Sequence, residues 1–276
     1  MKRAPLPQWI LWAGVFIPIL LFIAAIGVYR SRVHIDRVDI RPMAQLHSMN
    51  AAIELFNGEF GSYPPSDAND LTGKPYCGAM RLTEALMGQD LIGCHSKSVF
   101  RRDGLDTNSL EPLYPANPPQ DNLVARKGPY LQAENANAWR LADVYGKGDT
   151  GPFPESIYVL CDVFEQKRPS GKKTGMPILY YRANRFGTAH QAGDPNNIYD
   201  CTDNHTLLAL GVPGEPGKVH PLIDPNRFYL NTRNHMATGS TRPYREDSHI
   251  LISAGRDGLY GTADDICNFN WKYREQ

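Results

Sequence analysis

The sequence lacks an excess of charge of either sign and lacks the short motifs of common enzymes. Its 276 residues carry 29 basic and 29 acidic side chains, so the formal net charge is zero. Proteins that bind nucleic acid through its phosphates are usually basic, so this balance argues against nucleic acid as a partner. HExxH, GxSxG and P-loop motifs are absent, which excludes the commonest zinc-protease, serine-hydrolase and nucleotide-phosphate sites.

Cysteine pairs of the CxxC type are also absent, which argues against a zinc ribbon or a thioredoxin-like site. The five cysteines are widely spaced, at Cys77, Cys94, Cys161, Cys201 and Cys267. This spacing suits disulfide bonds in an oxidising compartment, with one cysteine left over. It equally suits five small buried apolar side chains.

One long uncharged run, residues 9–29, predicts a membrane anchor. Its 21 residues would span about 31 Å as a helix, against roughly 30 Å for the hydrocarbon core of a bilayer. A cleaved signal peptide would have a shorter apolar run and a small-residue cleavage site, whereas Arg30 and Arg32 closely follow this run. We therefore expect an uncleaved single-pass helix, and the basic residues at both ends do not decide its topology.

Beyond this run, apolar residues recur at steps of three and four, which predicts a helix over residues 30–62. Asn57-Gly58, Gly61 and Pro64-Pro65 are expected to end it. One face of this helix should pack on the rest of the domain. The apolar stripe consists of Ile35, Val38, Pro42, Leu46, Met49, Ile53, Phe56 and Phe60.

The remaining sequence, residues 63–276, predicts a domain with few regular elements. Runs rich in β-branched and aromatic residues at 156–164, 177–181 and 249–253 predict a small antiparallel sheet. Residues 66–175 otherwise have few regular signals and predict a large irregular insertion, with one short helix at 83–87 and a stretch rich in Pro, Asn, Asp and Gly at 99–155. The expected fold class is α+β, in which an N-terminal transmembrane helix continues into a long helix packed on the small sheet.

The tail, residues 253–268, combines carboxylates with glycines. It holds Asp257, Asp264 and Asp265 together with glycines at 255, 258 and 261. Calcium takes six to eight oxygen ligands, and glycines let the backbone turn tightly enough to supply carbonyl groups. The EF-hand pattern fails after Asp257-Gly258. A plain polar turn after a strand is the alternative.

Three segments after the apolar run match a known pattern in its order. Residues 53–64, IELFNGEFGSYP, are similar to a helix end reading ALELYKLDNGRYP, and residues 175–182, GMPILYYR, to a G-x-P-x-x-Y-R strand. Residues 253–269 are similar to a closing calcium loop, S-x-G-x-D-G…D-x-D-I-x-N-W, with Ile266 and Asn268 in register and Phe269 in place of Trp. Together these segments resemble the major pseudopilin (protein G) of type II secretion systems and related type IV pilin-like proteins. The family's acidic residue near a processed N-terminus has no counterpart in Met1–Leu21.

The resemblance implies a pilin-like structural or assembly protein of the bacterial inner membrane. It would be single-pass, with residues 1–8 in the cytoplasm and a periplasmic C-terminal domain. It implies a structural Ca²⁺ held by Asp257, Asp264 and Asp265 and by backbone carbonyls near Ala254 and Thr262. The implied partners are the membrane and other pseudopilins or secretion components, with no small-molecule substrate. The alternative is a membrane-tethered extracytoplasmic binding domain that reuses the pilin fold and does not polymerise.

One cluster, residues 200–205, reads DCTDNH and brings a thiol, two acids and an imidazole close together in sequence. Such residues can build a Cys–His nucleophile. Close spacing along the chain is more typical of a polar loop, and no element nearby supplies an oxyanion hole. We therefore expect no catalytic activity and name no catalytic residue.

Overall fold

A computed structural model describes residues 40–236 and 241–269. The predicted anchor at 9–29, residues 1–8 and residues 30–39 of the predicted helix lie outside these ranges. In the two described ranges, no helix has both the length and the apolar character needed to cross a membrane. The predicted fold class is corrected accordingly, because the structure supports a mixed α+β fold with small antiparallel sheets and not one built on a membrane-spanning helix.

Helix α1 covers residues 40–60 and is amphipathic. Leu46, Met49, Ile53 and Phe56 are at most 2% exposed, which confirms this part of the predicted stripe. The helix ends where predicted, because the N–H of Gly61 donates to the carbonyl of Asn57 (2.8 Å) with a positive φ of +76° at the glycine. Glycine is favoured at this position because other residues adopt the conformation at a steric cost.

The segment predicted as a large irregular insertion, residues 66–175, contributes to the main core. Its principal element is helix α2, Gly78–Met87, in which every residue is buried. The short helix predicted at 83–87 is the second half of α2. Six strands form three antiparallel two-stranded sheets: β1 (Cys94–His95) with β2 (Arg126–Lys127), β3 (Ala138–Arg140) with β4 (Tyr158–Leu160), and β5 (Gln166–Lys167) with β6 (Lys173–Thr174). Three short helices lie between them: α3 (Gln120–Val124), α4 (Ala133–Ala136) and α5 (Leu141–Tyr145).

The largest sheet has three antiparallel strands in the order β7–β8–β9. They are Leu179–Arg182, His249–Ser253 and Ile266–Cys267, so the strands predicted at 177–181 and 249–253 are confirmed. Asn50 of α1 holds the sheet to the helix, since its side-chain oxygen accepts from Nδ2 of Asn268 (2.9 Å) and lies 2.8 Å from Nε2 of His249. Buried side chains of α1, α2 and this sheet belong to one hydrophobic core.

Between β7 and β8 the chain forms short helices. They are the 3₁₀ turn Cys201–Asn204, α6 (His205–Leu208), the 3₁₀ turn Pro221–Ile223 and α7 (Pro225–Thr232). Asn204 is fully buried and joins two elements, because its Nδ2 donates to the carbonyl of Tyr180 (2.8 Å) while its Oδ1 accepts from the N–H of Ala79 (2.9 Å). These bonds cap the outer edge of β7 where the N-terminus of α2 meets it.

All five cysteines lie within the described ranges, and no disulfide bond joins any two of them. Four are buried, and Cys201 is half-buried. Of the two interpretations that the sequence leaves open, the structure matches small buried side chains.

Candidate cation-binding loop

The loop 254–265 connects β8 to β9 and bends at glycines. Gly255 and Gly261 have positive φ values of +65° and +93°, which other residues rarely adopt. A Cβ on Gly255 would lie 2.4 Å from the carbonyl oxygen of Asp264, and one on Gly261 would lie 2.6 Å from the backbone nitrogen of Leu222. Both turns therefore require glycine for conformation and for space.

Asp264 organises the loop through its hydrogen bonds. Its Oδ2 accepts from the backbone N–H groups of Arg256 (2.7 Å) and Asp257 (3.1 Å), and its Oδ1 accepts from the hydroxyl of Thr262 (2.7 Å). Burial opposes ionisation, but these hydrogen bonds outweigh it and hold the pKa of Asp264 below its ordinary value. Asp264 is therefore a carboxylate at neutral pH.

Asp265 and Asp257 carry less well compensated charge. Asp265 is fully buried, and its Oδ2 accepts from the N–H of Gly261 (2.7 Å). Burial, and then the charges of Asp264 and Asp257, raise the pKa of Asp265 well above its ordinary value. The pKa of Asp257 is also raised, by desolvation and then by Asp264, while its Oδ1 accepts from the N–H of Leu259 (2.8 Å).

The two backbone groups that the resemblance implies as ligands lie in the same loop. Ala254 is completely buried directly after β8. The carbonyl of Thr262 accepts from the N–H of Asp265 at 3.4 Å. The five predicted ligands therefore lie in the one loop, 254–265, as their positions in the sequence require.

The carboxylates of this loop have the chemistry of a calcium site but do not all point to one place. Among the residues that the structure describes, no group of three or more His, Cys, Asp or Glu side chains is placed to hold a metal ion. An all-oxygen donor set on glycine turns nevertheless suits a hard cation. A cation would also favour the ionised forms of Asp257 and Asp265, whose pKa is raised first by burial and then by neighbouring carboxylates. To bind one, Asp257 and Asp264 must turn from their backbone donors toward a shared point.

The loop has supports that the sequence analysis missed, and the first is Asp162. Its Oδ2 accepts from the hydroxyl of Ser253 (2.8 Å), at the start of the loop. Its Oδ1 accepts from the N–H groups of Phe164 and Met176, both at 3.1 Å. Burial raises the pKa of Asp162 to about 7. The only sequence signal for this role was the position of Asp162 itself, an acidic residue within the otherwise apolar run 156–164.

Two amides complete this support. Nε2 of Gln166 donates to the carbonyl of Arg256 (2.6 Å) in the middle of the loop. Directly after β9, Oδ1 of Asn268 accepts from the N–H of Leu251 (2.9 Å) in β8. The first bend of the loop is therefore bonded to β5, and the strand that follows the loop is bonded to β8.

Known proteins give no further guide to this loop. Comparisons with models of protein families, with curated proteins and with solved structures found no match to the chain. The interpretation of the loop therefore depends on its own residues and on the resemblance of the short segments described above.

The cluster at 200–205 does not assemble an activated thiol. Oδ2 of Asp203 accepts from the hydroxyl of Ser66, and Oδ1 of Asp200 accepts from the N–H and hydroxyl of Thr202 (2.9 and 2.7 Å). Burial raises the pKa of the Cys201 thiol, and His205 is exposed. A thiol with a raised pKa is a poor nucleophile, so the cluster lacks the thiolate that Cys–His chemistry needs.

Proposed function

We propose that this protein is a structural subunit of a secretion or pilus-like machine, similar to the pseudopilins, with a globular domain stabilised by calcium. The observation that carries the proposal is the presence of Asp257, Asp264 and Asp265 in one glycine-rich loop between two strands. In this proposal the globular domain lies outside the cytoplasm and its loop serves stability rather than catalysis.

The packing of α1 supports the proposal. The resemblance implies a helix that lies on an antiparallel sheet, and α1 buries its apolar face in the core that contains β7 and β8. Asn50 joins α1 both to β8 and to Asn268, the residue directly after β9. Tightening the loop would therefore also tighten the attachment of the sheet to α1.

Calcium, when bound, would supply positive charge to three neighbouring carboxylates and link them to backbone carbonyls. Asp265 would give up the protonated form that burial favours, and Asp264 would exchange backbone donors for the cation. Asp162 and Gln166 would keep the two ends of the first bend in place.

Calcium is expected to raise the melting temperature of the full-length protein. Binding to the folded state at a hundredfold excess over Kd adds about 2.7 kcal/mol, which corresponds to roughly 5–10 °C for a domain of this size. The measurement is thermal unfolding in calcium and in a chelator. Asp265→Asn keeps an acceptor for Gly261 but removes charge, so it should abolish most of the shift, whereas Asp121→Asn in α3 should preserve it. Equal melting temperatures of the wild type in both buffers would show that the loop is a polar turn and not a calcium site.

A second function, a tethered binding domain that does not polymerise, is favoured by a cavity beside β7 with a volume of about 750 Å³. Pockets of roughly 300–1,000 Å³ are typical of small-molecule sites. A photo-crosslinking side chain at Leu55, which is 59% exposed on α1, distinguishes the two functions in cells. A subunit should give a ladder of self-crosslinked multimers. A tethered binding domain should give the monomer alone.

A further inference from the structure

The cavity beside β7 is built by segments far apart in sequence. Residues 62–67 after α1, residues 182–186 at the end of β7 and residues 193–203 form its walls, and Tyr229 of α7 contributes to them. None of its lining residues belongs to the loop 254–265. Whatever it binds, this cavity is separate from the candidate cation site.

Two arginines lie in its walls with guanidinium groups that are unpaired among the residues that the structure describes. Arg182 is half-buried and Arg185 is exposed, and neither guanidinium makes a hydrogen bond or an ion pair with any residue that the structure describes. A guanidinium is always charged and carries five N–H donors. Because its fork matches the geometry of a carboxylate, a half-buried unpaired arginine in a cavity favours an anionic ligand.

The acids around the cavity limit the charge of that ligand. Asp194 and Asp200 lie in its walls and accept local hydrogen bonds from the backbone N–H groups of Asn196 and Thr202. Asp67 adds a further exposed carboxylate to the wall. A multiply charged anion such as phosphate would be repelled by these groups. Their free lone pairs can instead accept hydrogen bonds from hydroxyl or amide groups of a singly charged ligand.

The lining also includes a buried polar residue, Asp203, and an exposed apolar residue, Phe186. Asp203 is buried, with one oxygen held by the Ser66 hydroxyl, and burial raises its pKa well above the ordinary value, so it does not oppose an anion with a full charge. The ring of Phe186 is 92% exposed beside Arg185. An apolar part of a ligand can cover this ring while its carboxylate lies deeper.

We propose that this cavity binds a singly charged ligand through a carboxylate held by Arg182 and Arg185, with hydroxyl or amide groups near the acids and an apolar part on Phe186. Two sources supply this chemistry, an acidic sugar and the C-terminus of a peptide. The proposal is independent of the calcium loop and of assembly, because it involves none of their residues.

Matched pairs of probes test it on the full-length protein. One pair is glucuronate and its uncharged methyl ester, and the other is N-acetyl-Ala-Ala-Phe and its C-terminal amide. Cys201 lines the cavity and is the only one of the five cysteines that is not buried, so protection of its thiol from a maleimide reports occupancy. Labelling is run at alkaline pH, because burial raises the pKa of this thiol and slows its reaction at neutral pH. Titration calorimetry then gives the affinity.

At least one acid should protect Cys201 and bind at least about tenfold more tightly than its neutral partner, as expected for a hydrogen-bonded charge pair. The acid that binds identifies the source. Arg182→Gln should weaken that binding at least about tenfold. Arg185→Gln, at an exposed position, should weaken it in the same direction without threatening the fold, whereas Lys167→Gln outside the cavity should have no effect.

Equal binding of the acid and neutral members of both pairs, or no binding by any of the four probes, would overturn the proposal. Stronger protection by inorganic phosphate than by either acid would overturn the assignment to a singly charged carboxylate. These results would leave the calcium dependence of the melting temperature unaffected, so the two proposals can fail separately.

Discussion

At the scale of single residues, buried carboxylates set the response of this fold to pH. Burial raises the pKa of Asp162, Asp203 and Asp265, and each lies at a junction between segments. Glu84 of α2 is also buried, and its carboxylate accepts from the hydroxyls of Tyr76 (2.5 Å) and Tyr114 (2.8 Å). These acids are retained as hydrogen-bond centres that connect elements too short to hold one another.

Asp162 is expected to make stability fall as pH rises from about 4 to about 7. Its pKa is raised from 3.8 to about 7 in the folded state, so its favourable contribution is complete below the lower value and lost through the upper one. The full change is about 4 kcal/mol for a shift of this size. In urea unfolding between pH 4 and pH 8, Asp162→Asn should gain stability relative to wild type as pH rises, then level off. Parallel pH profiles of the two proteins would contradict this assignment.

At the scale of elements, α2 approaches the backbone of β7 very closely at Gly78. A Cβ on Gly78 would lie 2.1 Å from the carbonyl oxygen of Tyr180 and 3.0 Å from Nδ2 of Asn204. The first contact is with backbone, which cannot turn aside as a side chain can. A glycine at the start of α2 therefore lets a fully buried helix approach the edge of the sheet, and Asn204 fills the remaining hydrogen-bonding positions.

Gly78→Ala is expected to destabilise the protein by about 3 kcal/mol, as overpacking in cores does. Gly58→Ala is the matched control, since Gly58 lies on the exposed side of α1 with no atom within 4 Å of an added Cβ. Alanine at that site should stabilise by about 0.5–1 kcal/mol through its helix propensity. Chemical unfolding of both variants measures the two effects. Destabilisation by both, or by neither, would show that the close contact does not decide the outcome.

At the scale of the whole molecule, the sequence predicted the parts whose signal is local. The stripe of α1, its end at Gly61 and the strand at 249–253 follow from periodicity and from glycine within one segment. The acids of the candidate loop were visible for the same reason. The core role of residues 66–175 was not predictable, because most strands there have two or three residues and gain their order from distant partners.

The hydrogen bonds that hold the candidate loop could not be predicted from the sequence for the same reason. Asp162 is 91 residues from Ser253, and Asn50 is 218 residues from Asn268. The residues next to Asp162 and Asn50 in the sequence do not indicate which distant residues will bond to them. Buried polar residues of α2 behave likewise, since Arg81 is 4% exposed and reaches back to the carbonyl of Asn69 (2.6 Å).

The bond between Asn50 and the residues around β8 and β9 affects the order in which the nascent chain can fold. A ribosome that has completed α1 must add about 200 residues before His249 and Asn268 exist to contact it. At about 5–20 residues per second this takes roughly 10–40 s. Throughout that interval the apolar face of α1 has no β8 to cover it, so the growing chain depends on α2 and its neighbours, or on chaperones, to shield that face.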